Sequence, residues 1–155
     1  MASFYDWLQV VFLAVLPWLE LRGAIPYGIV RGLDPVLVFI VATTANVAII
    51  YPLFKFLDWF FFLLNKLPFM DRIISRVQNK AKPYVDKYGF MGLAFFVGVP
   101  LPGTGAYSGA LAAHVLGIKN RKGLLSIILG VVFAGVVITL LSTVFKGTVD
   151  WLLKY

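Results

Sequence analysis

The sequence predicts an all-α integral membrane protein. We expect an inverted repeat of two re-entrant helical hairpins, each followed by a transmembrane helix, with an amphipathic helix linking the halves. Of the 155 residues, 61% are hydrophobic and 14% are charged, whereas a soluble domain has about 25% charged residues. One small core cannot bury so much apolar surface, so we expect much of it to face lipid. The order of the apolar segments and the placement of the basic residues supply the rest of the prediction.

The first half-repeat, about residues 4–64, contains an interrupted apolar stretch and then a full span. Phe4–Leu19 would measure about 24 Å as a helix, less than the roughly 30 Å hydrocarbon core of a bilayer. Two charges, two glycines and a proline make a continuous helix unfavourable over residues 20–28. A second short arm ends near Val30, and Val36–Phe54 is long enough to cross the membrane.

The second half-repeat, about residues 88–145, shows the same order of segments. Gly89–Val99 is short, residues 100–105 form a proline- and glycine-rich break, and Ala106–Ile118 is again short. Leu124–Phe145 is the second full span. Because each half then crosses the bilayer an odd number of times, the second half must be inverted relative to the first. We treat residues 1–155 as one membrane domain.

The linker, residues 65–87, is the most charged part of the chain. Its apolar residues recur every four positions: Phe69, Ile73, Val77, Ala81 and Val85. If the linker is a helix, its basic residues occupy much of the rest of the helix surface: Arg72, Arg76, Lys80, Lys82 and Lys87. This pattern favours an amphipathic helix lying in the membrane plane, with a solvated linker helix as the alternative.

The basic residues indicate an orientation in the cell membrane. In the hairpin arrangement one side carries Lys55, Lys66, Arg72, Arg76, Lys80, Lys82, Lys87, Lys119, Arg121 and Lys122, and the other carries Arg31, Lys146 and Lys154. Positive charge accumulates on the cytoplasmic side, so linker residues 66–87 should be cytoplasmic and both ends of the chain outside. Four full spans would instead put the ends on the linker side, with a smaller charge bias.

Two charged residues at the first break are the strongest candidates for a binding site. Glu20 and Arg22 would lie well below the headgroups, where an ionisable side chain marks a functional site by default. Glu20 would bind a proton or a cationic ligand, and Arg22 would bind a phosphate. The alternative is that the two side chains pair with each other or with freed backbone carbonyl groups. Gly23 and Pro26 complete this candidate site.

The second break contains no charge. Pro100, Pro102, Gly103 and Gly105 open the backbone, and Thr104 is placed to cap the next helix. Helix N-termini at both breaks would direct N–H groups at one point near the midplane, which favours an anionic ligand. Simple closure of the hairpin explains the same residues equally well.

Two polar residues outside the breaks have competing interpretations, and the chain carries no catalytic signature. Asn46 either lines the cavity or bonds a neighbouring helix, and His114 fits a packing role near the cytoplasmic surface.

No nucleophile–base pair, metal-ligand cluster or phosphate-loop motif is present in the sequence. We therefore predict no enzymatic activity, no metal and no cofactor.

Residues 20–26 (ELRGAIP) and 100–110 (PLPGTGAYSGA) resemble the two signatures of the small multidrug export family, over nearly the whole chain. That family is similar to the DedA superfamily, which includes eukaryotic lipid scramblases. The resemblance implies opposed re-entrant hairpins and, in several members, translocation of phospholipids or polyprenyl phosphates with acidic residues in proton coupling. Glu20 matches the acidic position of the first hairpin. Many DedA proteins carry arginines near the second hairpin, whereas the deep arginine here is Arg22 in the first.

These features give three functional hypotheses. The first is a transporter or scramblase of a phosphate-bearing lipid, which would meet Glu20, Arg22 and the two breaks. The second is a proton-coupled exporter of small cationic, drug-like molecules that uses Glu20 as its exchange site. The third is a membrane scaffold that transports nothing and gathers anionic lipid on the basic linker.

The formal net charge of +7 fits contact with anionic membrane lipid rather than with nucleic acid. Protons are expected partners under the second hypothesis. One chain of this size encloses little volume, so a homo-oligomer is one way to build a larger cavity, and the sequence leaves the oligomeric state open.

Overall fold

The computed structural model describes residues 3–64, 68–100, 104–118 and 121–153, without the side chains of residue 64 and most of residues 68–86. Every regular element in these ranges is an α-helix. The six helices are α1 (Phe4–Val15), α2 (Glu20–Val30), α3 (Pro35–Leu64), α4 (Pro68–Gly98), α5 (Ala106–Val115) and α6 (Arg121–Leu152). The all-helical fold class is therefore confirmed.

Helix α2 differs from the sequence prediction, because the first break lies earlier than expected. The chain leaves α1 at Leu16 and resumes helix at Glu20, so the expected break over residues 20–28 is wrong. Pro26 lies inside α2. The glycines expected to weaken the helix permit close packing instead. A Cβ atom on Gly28 would lie 2.8 Å from the Val38 side chain, so side-chain bulk there would push α2 away from α3.

Helix α4 joins two segments that the sequence predicts as separate elements. The basic linker and the short arm Gly89–Val99 form one continuous helix that ends at Gly98. The apolar side chains expected on its membrane face, Phe69, Ile73, Val77, Ala81 and Val85, lie outside the described residues. Arg72, Arg76 and Lys87 are exposed, as a lipid-headgroup or solvent-facing surface requires.

Two helices are long and apolar enough to cross a membrane, the segments Pro35–Leu63 and Arg121–Leu152. Each would extend beyond 40 Å, more than the hydrocarbon core needs. Large apolar side chains stay exposed along α6, including Leu140 (62%) and Phe145 (69%). A soluble monomer rarely exposes apolar side chains in such numbers. These surfaces and the two candidate spans are those of a membrane protein.

The helix contacts of the two halves correspond. α1 packs on α2 and α3, and α4 packs on α5 and α6. α2 contacts both candidate spans, α3 and α6, and so does α5. α3 and α6 also contact each other, so the two broken helix pairs lie against a common α3–α6 framework. In this arrangement Glu20, directly after the first break, lies within hydrogen-bond distance of Ala106, directly after the second.

Candidate functional site

The side chain of Glu20 joins the two breaks. Its carboxylate accepts hydrogen bonds from the backbone N–H groups of Ala106 and Tyr107, each at 3.3 Å. These are the first two residues of α5, whose N–H groups have no partner within the helix. A carboxylate at a helix N-terminus is also favoured by the helix dipole. Glu20 from the first half therefore caps the helix that follows the second break.

Arg22 lies two residues after Glu20 in α2 and contacts both Glu20 and the second break. Its Nη1 atom lies 3.2 Å from a Glu20 carboxylate oxygen. Its Nη2 atom donates to the Val99 carbonyl at 3.2 Å and to the Thr104 hydroxyl at 2.8 Å. The guanidinium group thus binds the chain on both sides of the second break. Three of its five N–H bonds are used within the protein, which limits what remains for a ligand.

Two side chains satisfy the carbonyl groups at the end of α1. The Tyr107 hydroxyl donates to the Val15 carbonyl, and the Asn46 amide donates to the Ala14 carbonyl at 2.8 Å. These carbonyl groups would accept from the next helical turn if α1 continued. The helix-bonding interpretation of Asn46 is therefore confirmed. Each break is capped by residues from elsewhere in the chain.

Two residues beside the breaks, Glu20 and Gly105, have unusual local geometry. Glu20 has φ of 46°, and it is the one non-glycine residue in the described ranges with positive φ. Such a conformation costs about 1–3 kcal/mol and is typical of functional positions. At Gly105 a Cβ atom would lie 2.0 Å from the Glu20 carboxylate. The glycine is thus required for the carboxylate to reach α5.

A cavity of about 380 Å³ opens beside this cluster. Its lining consists of Arg22, Pro100, Ile138, Leu141 and Ser142. Leu141 is largely exposed on the outer face of α6, so the cavity is open along the apolar surface. One charged and one hydroxyl side chain in an otherwise apolar lining suit an amphipathic ligand.

The structure brings together only some of the site residues predicted from sequence. Glu20, Arg22, Thr104 and Gly105 form the cluster, and Pro100 lines the cavity next to it. Gly23 and Pro26 follow within α2. Pro102 and Gly103 lie outside the described residues.

The prediction that Thr104 caps α5 needs correction. The N-cap residue is Gly105, and the Thr104 hydroxyl donates back across the break to the Val99 carbonyl at 2.6 Å. The acceptor at the start of α5 is the Glu20 carboxylate. An external anion was expected to bind at this N-terminus, but a side chain of the protein already occupies the position.

Tyr107 and the Val99 carbonyl were missed as members of the site. A tyrosine two residues after the Pro–Gly break is the one sequence signal that points to Tyr107. The role of a backbone carbonyl cannot be found in a sequence pattern, because it depends on which side chain reaches the free end of a helix.

His114 occupies the packing position expected for it. Its ring lies between the rings of Phe54 and Phe61, with centroid distances of 5.0 and 5.6 Å. Its Nε2 atom lies 3.1 Å from the Asp58 carboxylate, so it connects α5 to the far end of α3.

Comparison with known proteins identifies the family. No curated protein and no solved structure matches the chain. The family model described as "Putative small multi-drug export protein" matches residues 20–137. The match begins at Glu20, the first residue of α2, and includes the second break. The relation to the DedA superfamily stays a prediction. Since the match covers most of the chain, this protein belongs to the small multi-drug export family.

Proposed function

We propose that this protein is a proton-coupled exporter of small amphipathic molecules, and that Glu20 is its proton-exchange residue. The observation that carries the proposal is the position of the Glu20 carboxylate. It is 7% exposed, it pairs with Arg22, and it accepts from two backbone N–H groups of the opposite half. The substrate class follows the description of the family.

Protonation of Glu20 would alter both breaks at once. A neutral carboxyl group no longer attracts Arg22 as an ion and becomes a weaker acceptor for the N–H groups of α5. Arg22 would then be free to move away from the Val99 carbonyl and the Thr104 hydroxyl. Binding of a cationic substrate to the carboxylate would compete for the same contacts. Proton and substrate would thus exchange at one group, which is the requirement for coupled export.

We further propose that each broken helix pair is a re-entrant hairpin and that the halves are inverted. The ends of the first pair meet through Asp6 and Arg31 at 2.9 Å. The second pair ends beside His114 and Asp58, at the opposite end of α3. The breaks lie between these ends. In this arrangement the linker is cytoplasmic and both hairpin tips stop near the midplane of the cell membrane.

Reconstituted transport tests the proposal. Purified protein in liposomes with an acidic lumen should accumulate ethidium, a fluorescent amphipathic cation, only while the pH gradient lasts. Glu20→Gln keeps the size and a carbonyl oxygen of the side chain but cannot exchange a proton, so it should abolish this accumulation. Asp6→Asn removes an acidic group at the open end of the first hairpin and is the matched control that should preserve it.

Two outcomes would contradict the proposal. One is gradient-driven accumulation that persists in Glu20→Gln at the rate of the unsubstituted protein. The other is the absence of any flux together with tolerance of Glu20→Gln, which is the result expected for a membrane scaffold.

Transport of a phosphate-bearing lipid is the second candidate, because Arg22 lines the laterally open cavity. Its weakness is that most of the Arg22 donors are already bonded within the protein. In a dithionite-accessibility assay with fluorescent phospholipid, we expect no faster flipping than in protein-free liposomes. Acceleration that Arg22→Lys reduces would favour the lipid substrate over the exporter.

A further inference from the structure

We propose that His114 and Asp58 form a second proton-binding site, in which the His114 imidazole is held as its cation between α5 and α3. The site lies at the C-terminal end of α5, whereas the Glu20 carboxylate lies at the start of the same helix. The helical rise from Ala106 to His114 is about 12 Å, so the two sites are separate. The proposal concerns proton binding alone and does not depend on the proposed export activity.

Both ring nitrogens of His114 face oxygen atoms. Nδ1 lies 3.0 Å from the Ala110 carbonyl oxygen, and Nε2 lies 3.1 Å from a carboxylate oxygen of Asp58. A carbonyl oxygen and an ionised carboxylate accept hydrogen bonds and cannot donate them. A neutral imidazole has one N–H group and satisfies one of these oxygens, whereas the imidazolium cation donates at both nitrogens. The two contacts together therefore require a proton between Nε2 and Asp58.

The exposure of the two side chains places this proton on the ring. The Asp58 side chain is 55% exposed, whereas the His114 side chain is 2% exposed. A carboxylate in contact with water is a weaker base than an imidazole, so Asp58 stays ionised and His114 keeps the proton. The exposed carboxylate also connects the buried ring to solvent, which gives the proton a route in and out.

The surroundings of the ring favour its charged form. The ring centroids of Phe54 and Phe61 lie 5.0 and 5.6 Å from that of His114, within the roughly 6 Å at which an aromatic ring attracts a cation. His114 also lies in the last turn of α5, where the helix dipole favours positive charge. Burial opposes the charge, and buried charges persist where they are paired and hydrogen-bonded. Asp58 and the Ala110 carbonyl supply both requirements.

The other charged groups on the helices that pack on α5 do not replace Asp58. Lys146 and Asp150 lie near the C-terminal end of α6, far along the helix from His114. The other described charged side chains of α3, α4 and α6 are exposed cations, and none of them bonds to His114 among the residues the structure describes: Lys55, Arg72, Arg76, Lys87, Arg121 and Lys122. Their repulsion makes the imidazolium depend on the charge of Asp58.

Nuclear magnetic resonance of the ring nitrogens measures the proton directly. His114 is the one histidine of the sequence, so ¹⁵N-histidine labelling of the full chain, purified through a tag without histidine, gives unambiguous signals. In liposomes at pH 7.5, a free imidazole would be about nine-tenths neutral. We expect two nitrogen signals of the protonated type there, and one of them should convert to the unprotonated type as the pH is raised further.

Asp58→Asn keeps an oxygen acceptor of the same size and removes the charge. Because Asp58 is exposed, this substitution should leave the fold intact. We expect the proton affinity of His114 to fall about fivefold, the upper range for an ion pair with an exposed partner. Asp150→Asn is the matched control, since it removes the same charge from an exposed residue near the other end of α6 and should leave the His114 titration unchanged.

Two results would overturn the inference. One is a His114 ring with one protonated and one unprotonated nitrogen at pH 7.5, which is the neutral packing histidine. The other is a titration of His114 at the same pH in Asp58→Asn and Asp150→Asn, which would show that Asp58 takes no part in holding the proton. Neither result bears on Glu20-dependent transport, so failure of this site and failure of the proposed function remain distinguishable.

Discussion

At the scale of single residues, Glu20 combines a strained backbone with a buried charge. Positive φ at a non-glycine residue and a carboxylate away from solvent both cost free energy. The hydrogen bonds from Ala106, Tyr107 and Arg22 offset part of that cost. The local conformation is therefore held in part by residues 86 and 87 positions away in sequence.

The contact between Gly105 and Glu20 gives the first residue-scale prediction. Gly105→Ala places a Cβ atom 2.0 Å from the carboxylate and 2.8 Å from Arg22 Nη1. The carboxylate must move and loses its bonds to α5, so we expect destabilisation of about 1–3 kcal/mol and loss of transport. Thermal unfolding and ethidium accumulation measure both. Gly92→Ala is the control, since its Cβ atom would meet Tyr88 at an ordinary 3.6 Å. A Gly105→Ala variant with unchanged stability and unchanged transport would contradict the geometry.

Asp6 gives a pH prediction at the open end of the first hairpin, outside the candidate spans α3 and α6. The backbone hydrogen bond from Ser3 and the side-chain bond from Arg31 lower the pKa of this carboxyl group. A lowered pKa means that the stabilisation is present above the unfolded-state pKa, about 3.9, and is lost as pH falls through the folded-state pKa.

Asp6→Asn should therefore lower the melting temperature at pH 7, and the difference from the unsubstituted protein should shrink below about pH 4. The exposed Asp150→Asn controls for the general loss of negative charge. A difference that stays constant from pH 7 to pH 3 would exclude this linkage.

At the scale of elements, each broken helix depends on the opposite half for its caps. Isolated helices as short as α1 and α5 are marginal in water, and their free ends carry unsatisfied backbone groups. Glu20 satisfies the start of α5, while Tyr107 satisfies the end of α1. The two breaks are therefore expected to form together rather than independently.

Tyr107→Phe tests this dependence. Removing the hydroxyl leaves the Val15 carbonyl without its donor, so we expect a loss of about 1 kcal/mol in the free energy of unfolding. Thermal unfolding of the purified protein should show this loss, although the substitution lies in the second half. Tyr51→Phe changes an exposed tyrosine on α3 and should have no such effect. Equal behaviour of the two variants would show that the cap is unimportant.

At the scale of the whole molecule, the proposed inverted hairpins and the alternative of four full spans differ in membrane topology. The two arrangements place the N-terminus on different sides relative to the linker. The chain contains no cysteine, so single cysteines can be introduced without further substitutions.

In intact cells, an impermeant thiol reagent should label Ser3→Cys and Asp34→Cys, which lie at the open end of the first hairpin. Lys87→Cys and Lys122→Cys should react only after the cells are opened. Protection of Ser3→Cys in intact cells, together with labelling of Asp34→Cys, would indicate a full crossing between these residues and reject the first hairpin.

The membrane class and the helical content followed from the sequence alone. These properties depend on composition and on local apolar runs, which a sequence shows directly. The second break was also placed correctly, since α4 ends at Gly98 and α5 begins at Ala106. Prolines and glycines interrupt helices through local geometry, whatever the tertiary fold.

Only the tertiary structure decided which groups contact the residues at the two breaks. Residues 20–28 look like a helix breaker in isolation, but they form α2, and Gly28 allows this helix to approach α3 closely. Glu20, Arg22 and Asn46 have partners far away in the sequence, and local patterns carry no information about them. The sequence by itself determined that this protein resides in a membrane and has charged residues near a break. The fold decided that those charges cap the opposite half, because buried polar groups must find partners wherever packing places them.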